Sequence, residues 1–243
     1  MRAIILAAGK GKRLQSEMFD IPKFLRRVKG RALLDYVRES IDFIPEKDTV
    51  IVVGYKKEHV IENTPGEYTF VTQQEQLGTG HAVLCAKDEF TDYDGDVLVL
   101  YGDMPLIKRE TYMSLIEKHV SESAACTILT AVTDNPLAYG RIIRMDGKIT
   151  DIVEQRDCTP AQLKIRELNA GVYVFKSRLL FEKLRYLKND NAQGEYYLTD
   201  VPKLLIADNL KVESYTVGNI NEIVGVNTPE DLEFCEQHLD TGH

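Results

Sequence analysis

Residues 2–14 read RAIILAAGKGKRL, an apolar run that passes without a polar spacer into two glycines and three cations. The run reads as a strand of a parallel sheet. Gly9 and Gly11 then put backbone N–H groups beyond its carboxyl end, where open α/β sheets bind ligands and where phosphate is the natural guest. Neither common phosphate motif fits. No glycine meets the spacing G-x-x-x-x-G-K-[ST], and G-x-G-x-x-G starts at Gly9 and Gly11 but meets Leu14 at its third glycine. Two glycines alone are also what a plain tight turn uses.

Working outward, short β-branched runs alternate with amphipathic ones: RAIILA, TVIVV (49–53), TFVTQ (69–73) and DVLVLYGD (96–103) as strands, LLDYVRESI (33–41) and HAVLCAK (81–87) as helices. That alternation predicts βαβ units around a mostly parallel sheet. Further on, ACTILTAV (125–132) and LNAGVYVF (168–175) read as strands. RIIRM and KITDIVEQ form a hairpin across Asp146-Gly147, a pair suited to a tight turn. At the end, Thr228 is placed to cap a helix with Pro229 at its first position and Glu230 and Asp231 facing its dipole. The fold class is therefore α/β, a mostly parallel sheet with an antiparallel-decorated second half.

The chain of 243 residues carries a net charge of −8, which argues against a general nucleic-acid binder. Yet Gly9 to Arg31 holds eight basic residues against two acidic ones. One positive patch on an acidic chain suits a small anionic ligand, and a solvated basic loop equally well. No apolar stretch approaches the roughly 20 residues needed to span a bilayer, and no signal peptide opens the chain, so no membrane contact and a cytoplasmic location are expected. The four cysteines, Cys85, Cys126, Cys158 and Cys235, are widely spaced and expected to be reduced and structural.

Arg13 and, after a gap, Lys23 in IPK sharpen the reading, because a guanidinium and an ammonium together can stabilise a departing pyrophosphate. From Ala3 to about Leu239 the order of LAAGKGKRL, PK, QQEQLGTGHAV, YGDMPL, YGRIIR, IVEQRD, LNAGVYVF, NAQGEYYLTD and VGVNTPEDL resembles the uridyltransferase domain of bifunctional N-acetylglucosamine-1-phosphate uridyltransferases, in the sugar nucleotidyltransferase superfamily. The resemblance implies a Rossmann-like sheet of the nucleotide-diphospho-sugar transferase type with a glycine-rich loop after the first strand, and a single nucleotidyltransferase domain over 1–243: a nucleotide-binding half at about 1–105, a sugar-binding half at about 106–228 and a C-terminal helix at 229–239.

Residue by residue, it implies Arg13 and Lys23 as catalytic and Leu6, Ala7, Ala8, Gly9, Gly11, Gln73, Gly78 and Thr79 as nucleotide-binding. Tyr101, Gly140, Glu154 and Asn169 would bind the sugar, and Asp103 and Asn227 would hold Mg²⁺. Hard oxygen donors suit that ion, side-chain amides can read a pyrimidine edge, and a carboxylate can accept sugar hydroxyls. Thr79 is also a candidate helix cap. His81, with no second His or Cys at ligand spacing, reads as a packing or hydrogen-bonding residue. The implied partners are UTP and a sugar 1-phosphate. The implied reaction is attack of the sugar phosphate on the α-phosphorus of UTP with release of pyrophosphate.

Two departures stand out. Lys12 occupies a position the family fills with threonine, and RRVKGRALL (26–34) is more basic than the family's usual apolar stretch. No hexapeptide β-helix repeats follow Asn227, so acetyl transfer is not expected and the oligomeric state is not carried over. The alternatives are a related nucleotidyltransferase acting on another sugar phosphate or phosphocholine, and a non-catalytic nucleotide-sugar sensor.

Overall fold

The computed structural model describes residues 1–11, 14, 21–134 and 138–239. Strands β1 (Arg2–Ala7), β4 (Thr49–Val53), β5 (Thr69–Thr72) and β6 (Asp96–Tyr101) form the parallel heart of a nine-stranded sheet, with β1 between β4 and β6. The remaining strands are β7 (Cys126–Val132), β8 (Gly140–Met145), β9 (Lys148–Val153), β10 (Glu167–Lys176) and β11 (Val212–Thr216). The order runs β11-β7-β10-β6-β1-β4-β5, with β8 and β9 branching from β10. β10 is antiparallel to β6, β7 and β8, so the second half carries the expected antiparallel decoration. A short ribbon, β2 (Arg27–Val28) with β3 (Arg31–Ala32), stands apart. It is the basic stretch that departs from the family pattern, turning through Lys29 and Gly30, both at positive φ.

Side chains along the central strands alternate between two cores. Ala3, Ile5, Ile51, Val53, Leu98 and Leu100 pack on one face, and Ile4, Leu6, Val50, Val52, Val97 and Val99 on the other. The first face is covered by α1 (Leu33–Ser40), α2 (Lys57–Glu62) and α4 (Arg109–Ser121) through Leu34, Val60, Tyr112 and Leu115. The second is covered by α3 (Thr79–Cys85), α5 (Ser177–Lys183) and α6 (Asp200–Ala207) through Val83, Leu180 and Leu205. A parallel sheet needs this cover on both faces, and its strands read as continuous apolar runs for that reason.

The hairpin turn falls where expected, with Asp146 at φ 50° and Gly147 at φ 78°, the left-handed pair a two-residue turn demands. The C-terminal helix α7 (Pro229–His238) is capped as read: Thr228 accepts from the Asp231 amide, and the Asp231 carboxylate accepts from the Thr228 amide. Thr79 differs. α3 begins after Gly78 with no side-chain cap, because the Thr79 hydroxyl accepts instead from the backbone of Leu198 at 3.0 Å. Tertiary pairing has taken the oxygen that a local cap would have used. All four cysteines are free. Among the described residues no helix is long and apolar enough to cross a membrane.

Candidate active site

The chain leaves β1 toward β4 and β5 on one side and returns to β6 on the other, so the sheet order reverses at β1. Such a switch point opens a crevice beyond the carboxyl ends of the strands. A cavity of about 810 Å³ lies there. Leu6, Ala8, Gly9 and Gly11 form one wall, Gln73, Gly78 and Thr79 a second, and Lys23, Tyr101, Asp103 and Asn227 the floor. A second cavity of about 200 Å³ opens from the same floor, sharing Tyr101, Asp103 and Asn227, and takes in Gly140, Glu154 and Asn169. Residues expected to hold a nucleotide and residues expected to hold a sugar therefore line two contiguous chambers that meet at the expected cation ligands. Ala7 is the exception: it is buried in β1 and lines neither. Lys12 and Arg13 lie outside the described residues.

Where the chambers meet, Lys23 follows Pro22 into a single 3-10 turn and is 7% exposed. Its ammonium donates to Asp103 Oδ2 and, at 3.0 Å, to Asn227 Oδ1. Asp103 follows β6, and the Val226 amide bonds its carbonyl at 2.9 Å, which ties the loop before α7 to the end of β6. One carboxylate oxygen and one carboxamide oxygen thus converge on a single cation. That donor set suits magnesium, a hard ion that binds through one or two carboxylates and leaves its other positions to phosphates and water. No cluster of three or more His, Cys, Asp or Glu residues suited to a metal exists among the described residues.

The second wall is built by close backbone approach. Gly78 sits at φ +114°, and a Cβ there would fall 2.6 Å from the Tyr196 carbonyl. The Gly80 amide bonds that carbonyl at 2.8 Å, and the Tyr196 amide bonds the Leu77 carbonyl at 2.8 Å. NAQGEYYLTD, to which sequence gave no individual role, is thus the strip that clamps the Gly78–Gly80 turn. It also delivers Gln193 and Glu195 to the large cavity, and the loop after β9 delivers Arg156. Gln73 Nε2 donates to the Gly78 carbonyl at 3.0 Å and meets His81 Nδ1 at 3.0 Å. His81 is therefore the hydrogen-bonding residue expected, and it fixes the plane of the Gln73 amide.

In the small chamber, Asn169 is 4% exposed and sits at a bulge in β10, its Nδ2 bonded to the Tyr173 hydroxyl and its Oδ1 to the Gly171 amide. Burial pushes the Glu154 carboxyl above the usual carboxylate range, an effect that Thr199 partly offsets. Tyr101, between the chambers, is pushed far above an ordinary phenol by burial and by the nearby carboxylates Glu154 and Asp103. It therefore stays a neutral donor at any physiological pH.

A sheet of this order, with a glycine turn at its switch point and the Lys23–Asp103 ion pair beneath, defines a nucleotide-handling α/β protein. The chain belongs to the nucleotidyl transferase family, whose model matches residues 2–219. It is 46% identical over 235 residues to the bifunctional protein GlmU of Streptococcus thermophilus, covering 96% of this chain and 50% of that protein. The same figures hold for GlmU of Streptococcus suis. The chain thus spans about half the length of these curated relatives. Among solved structures it resembles a Bacillus anthracis protein assigned as a glucose-1-phosphate thymidylyltransferase, with a TM-score of 0.78 at 19% identity covering 100% of this chain and 98% of that one. It also resembles a UDP-glucose pyrophosphorylase complexed with UDP-glucose, with a TM-score of 0.75 at 17% identity covering 97% of each chain. At these identities the structural likeness carries the fold.

Proposed function

We propose that this chain transfers the uridylyl group of UTP to N-acetylglucosamine 1-phosphate, forming UDP-N-acetylglucosamine and pyrophosphate. The observation that carries the reading is the junction of the two chambers at Tyr101, Asp103 and Asn227, with Lys23 bonded to the last two. A phosphoryl group lying across that floor would have a nucleotide on one side and a sugar on the other. An oxygen of the sugar phosphate forms a bond to the α-phosphorus while the bond from that phosphorus to the bridging oxygen breaks, and pyrophosphate departs with the electron pair. No general base is needed, since a phosphate monoester with its second pKa near ~6 is already largely the dianion at neutral pH.

Catalysis is then positioning and charge neutralisation. The amides after β1, including those of Gly9 and Gly11, cradle the triphosphate. Gln73 and the Gly78 backbone read the pyrimidine. Glu154 accepts sugar hydroxyls and Asn169 pairs with the acetamido group, with Gly140 and Tyr101 completing the chamber. Arg13 neutralises the departing pyrophosphate, and Lys23 moves from Asp103 and Asn227 onto the reacting phosphates. Asp103 and Asn227 would hold Mg²⁺, which when bound supplies positive charge to phosphate oxygens. In domain terms the nucleotide half is about 1–105 and the sugar half about 106–228.

The test is a matrix of four nucleoside triphosphates against N-acetylglucosamine 1-phosphate, glucose 1-phosphate, N-acetylgalactosamine 1-phosphate and phosphocholine, read by pyrophosphate release with magnesium. The highest kcat/KM is expected for UTP with N-acetylglucosamine 1-phosphate. A different best pair replaces the substrate assignment, and binding of UDP-sugar without turnover on any pair replaces the enzyme with a sensor.

A further inference from the structure

Tyr139 lines the small chamber, immediately before Gly140, and its hydroxyl reaches into the loop that carries Asn227. That hydroxyl donates to the Ile223 carbonyl at 2.7 Å and accepts from the Gly225 amide at 3.0 Å. The other side of Gly225 is also engaged, its carbonyl accepting from Asn227 Nδ2 at 3.1 Å. With the amide nitrogen of Asn227 tied back in this way, its Oδ1 is the atom turned toward Lys23. Gly225 lies between the two side chains: a Cβ there would be in ordinary van der Waals contact with both, 3.5 Å from the Tyr139 hydroxyl and 3.6 Å from Asn227 Nδ2. The buried Arg141 donates to the Tyr139 carbonyl and holds its backbone. Burial pushes the Tyr139 phenol up to about 12, so it stays protonated and the direction of both bonds is fixed through the neutral range.

We propose that Tyr139 is a positioning residue for the cation site: its hydroxyl clasps the 223–225 turn and through it sets the Asn227 carboxamide, linking the strand of the sugar chamber to the ligand of the metal. The inference rests on Asp103 and Asn227 being the cation ligands. Tyr139 itself touches no reacting atom. Its hydroxyl is the bridge between two loops that approach the crevice from distant parts of the chain.

The test is Tyr139→Phe, which keeps the ring and removes only the bridge. The matched control is Tyr93→Phe, which removes a tyrosine bond to the Asp96 carbonyl at the opposite end of β6. Two quantities are read: the magnesium concentration giving half-maximal pyrophosphate release, and the Mn²⁺ affinity of the protein with bound UTP, followed by electron paramagnetic resonance. In Tyr139→Phe the first should rise and the second fall by at least fivefold, with kcat at saturating magnesium within threefold of the parent. Tyr93→Phe should move only the melting temperature. Equal metal dependence in parent and Tyr139→Phe overturns the positioning role, provided Asp103→Asn abolishes Mn²⁺ binding. If Asp103→Asn leaves Mn²⁺ affinity intact, the cation-site reading fails and takes the proposal with it.

Discussion

Lys23→Met removes the ammonium from the chamber floor while keeping most of the side-chain length. In the free protein that ammonium holds the two oxygens a divalent ion would need, and both partners of the ion pair are shielded, with side chains 9% and 14% exposed. An ion reaching the same oxygens would come within about 4 Å of an ammonium left in place. At an effective dielectric of about 20, a +2 and a +1 charge at that separation repel by about 8 kcal/mol. Lysine must therefore leave before a divalent ion can bind. Giving up a hydrogen bond to a charged partner costs about 1.5–3 kcal/mol, which corresponds to roughly 10- to 150-fold in affinity. Lys23→Met should bind Mn²⁺ without nucleotide more tightly than the parent by that factor, while losing turnover because no ammonium reaches the phosphates. Titrating the free Mn²⁺ signal by electron paramagnetic resonance measures the difference. Equal Mn²⁺ affinity in the two nucleotide-free proteins would refute the reasoning, since the ammonium would then not be competing for the site.

Arg13→Ala should lower turnover by about 100-fold or more, the scale of removing one electrostatic stabiliser, as read by single-turnover pyrophosphate release. Gly78→Ala places a methyl group against the Tyr196 backbone at a left-handed φ, and should cost about 2–4 kcal/mol in urea unfolding and weaken UTP binding with it. Asp96 is held down at about 2, first by the buried His119, whose Nε2 lies 3.4 Å from its carboxylate, and then by Lys176 at 2.7 Å. A carboxyl whose folded pKa is depressed stabilises fully above its unfolded value and loses that contribution as pH falls through the folded one. Asp96→Asn should therefore cost about 2 kcal/mol at pH 7, and the gap should close between about pH 4 and pH 2, as urea midpoints across that range would record.

Much of the architecture was legible because burial writes itself into the sequence. β1, β4 and β6 are covered on both faces and so appear as uninterrupted apolar runs, and the hairpin at Asp146-Gly147 and the cap at Thr228 declare their own backbone geometry. β11 escaped notice for the opposite reason: VESYT is a half-buried edge strand with no apolar run, and its place beside β7 is decided by pairing alone. The helical stretch of α4 buries Thr111, Tyr112, Leu115 and His119, a mixed set whose polar members hide the apolar stripe. Beyond the Gly9–Gly11 turn and the cations Arg13 and Lys23, the candidate site was legible only through motif resemblance. Lys23 lies 80 residues from Asp103 and 204 from Asn227, and no local spacing encodes that meeting. Thr79 shows the limit of local rules, since its hydroxyl serves a strip 119 residues away instead of its own helix.

A crystal structure with UTP and Mn²⁺ in place of magnesium tests the central claim most directly, because manganese marks its own position by anomalous scattering. The expected result is a single peak bonded by Asp103 and Asn227, with the triphosphate along the Gly9–Gly11 turn and Lys23 moved onto phosphate. Nucleotide bound outside the crevice, or a manganese peak touching neither residue, would contradict it.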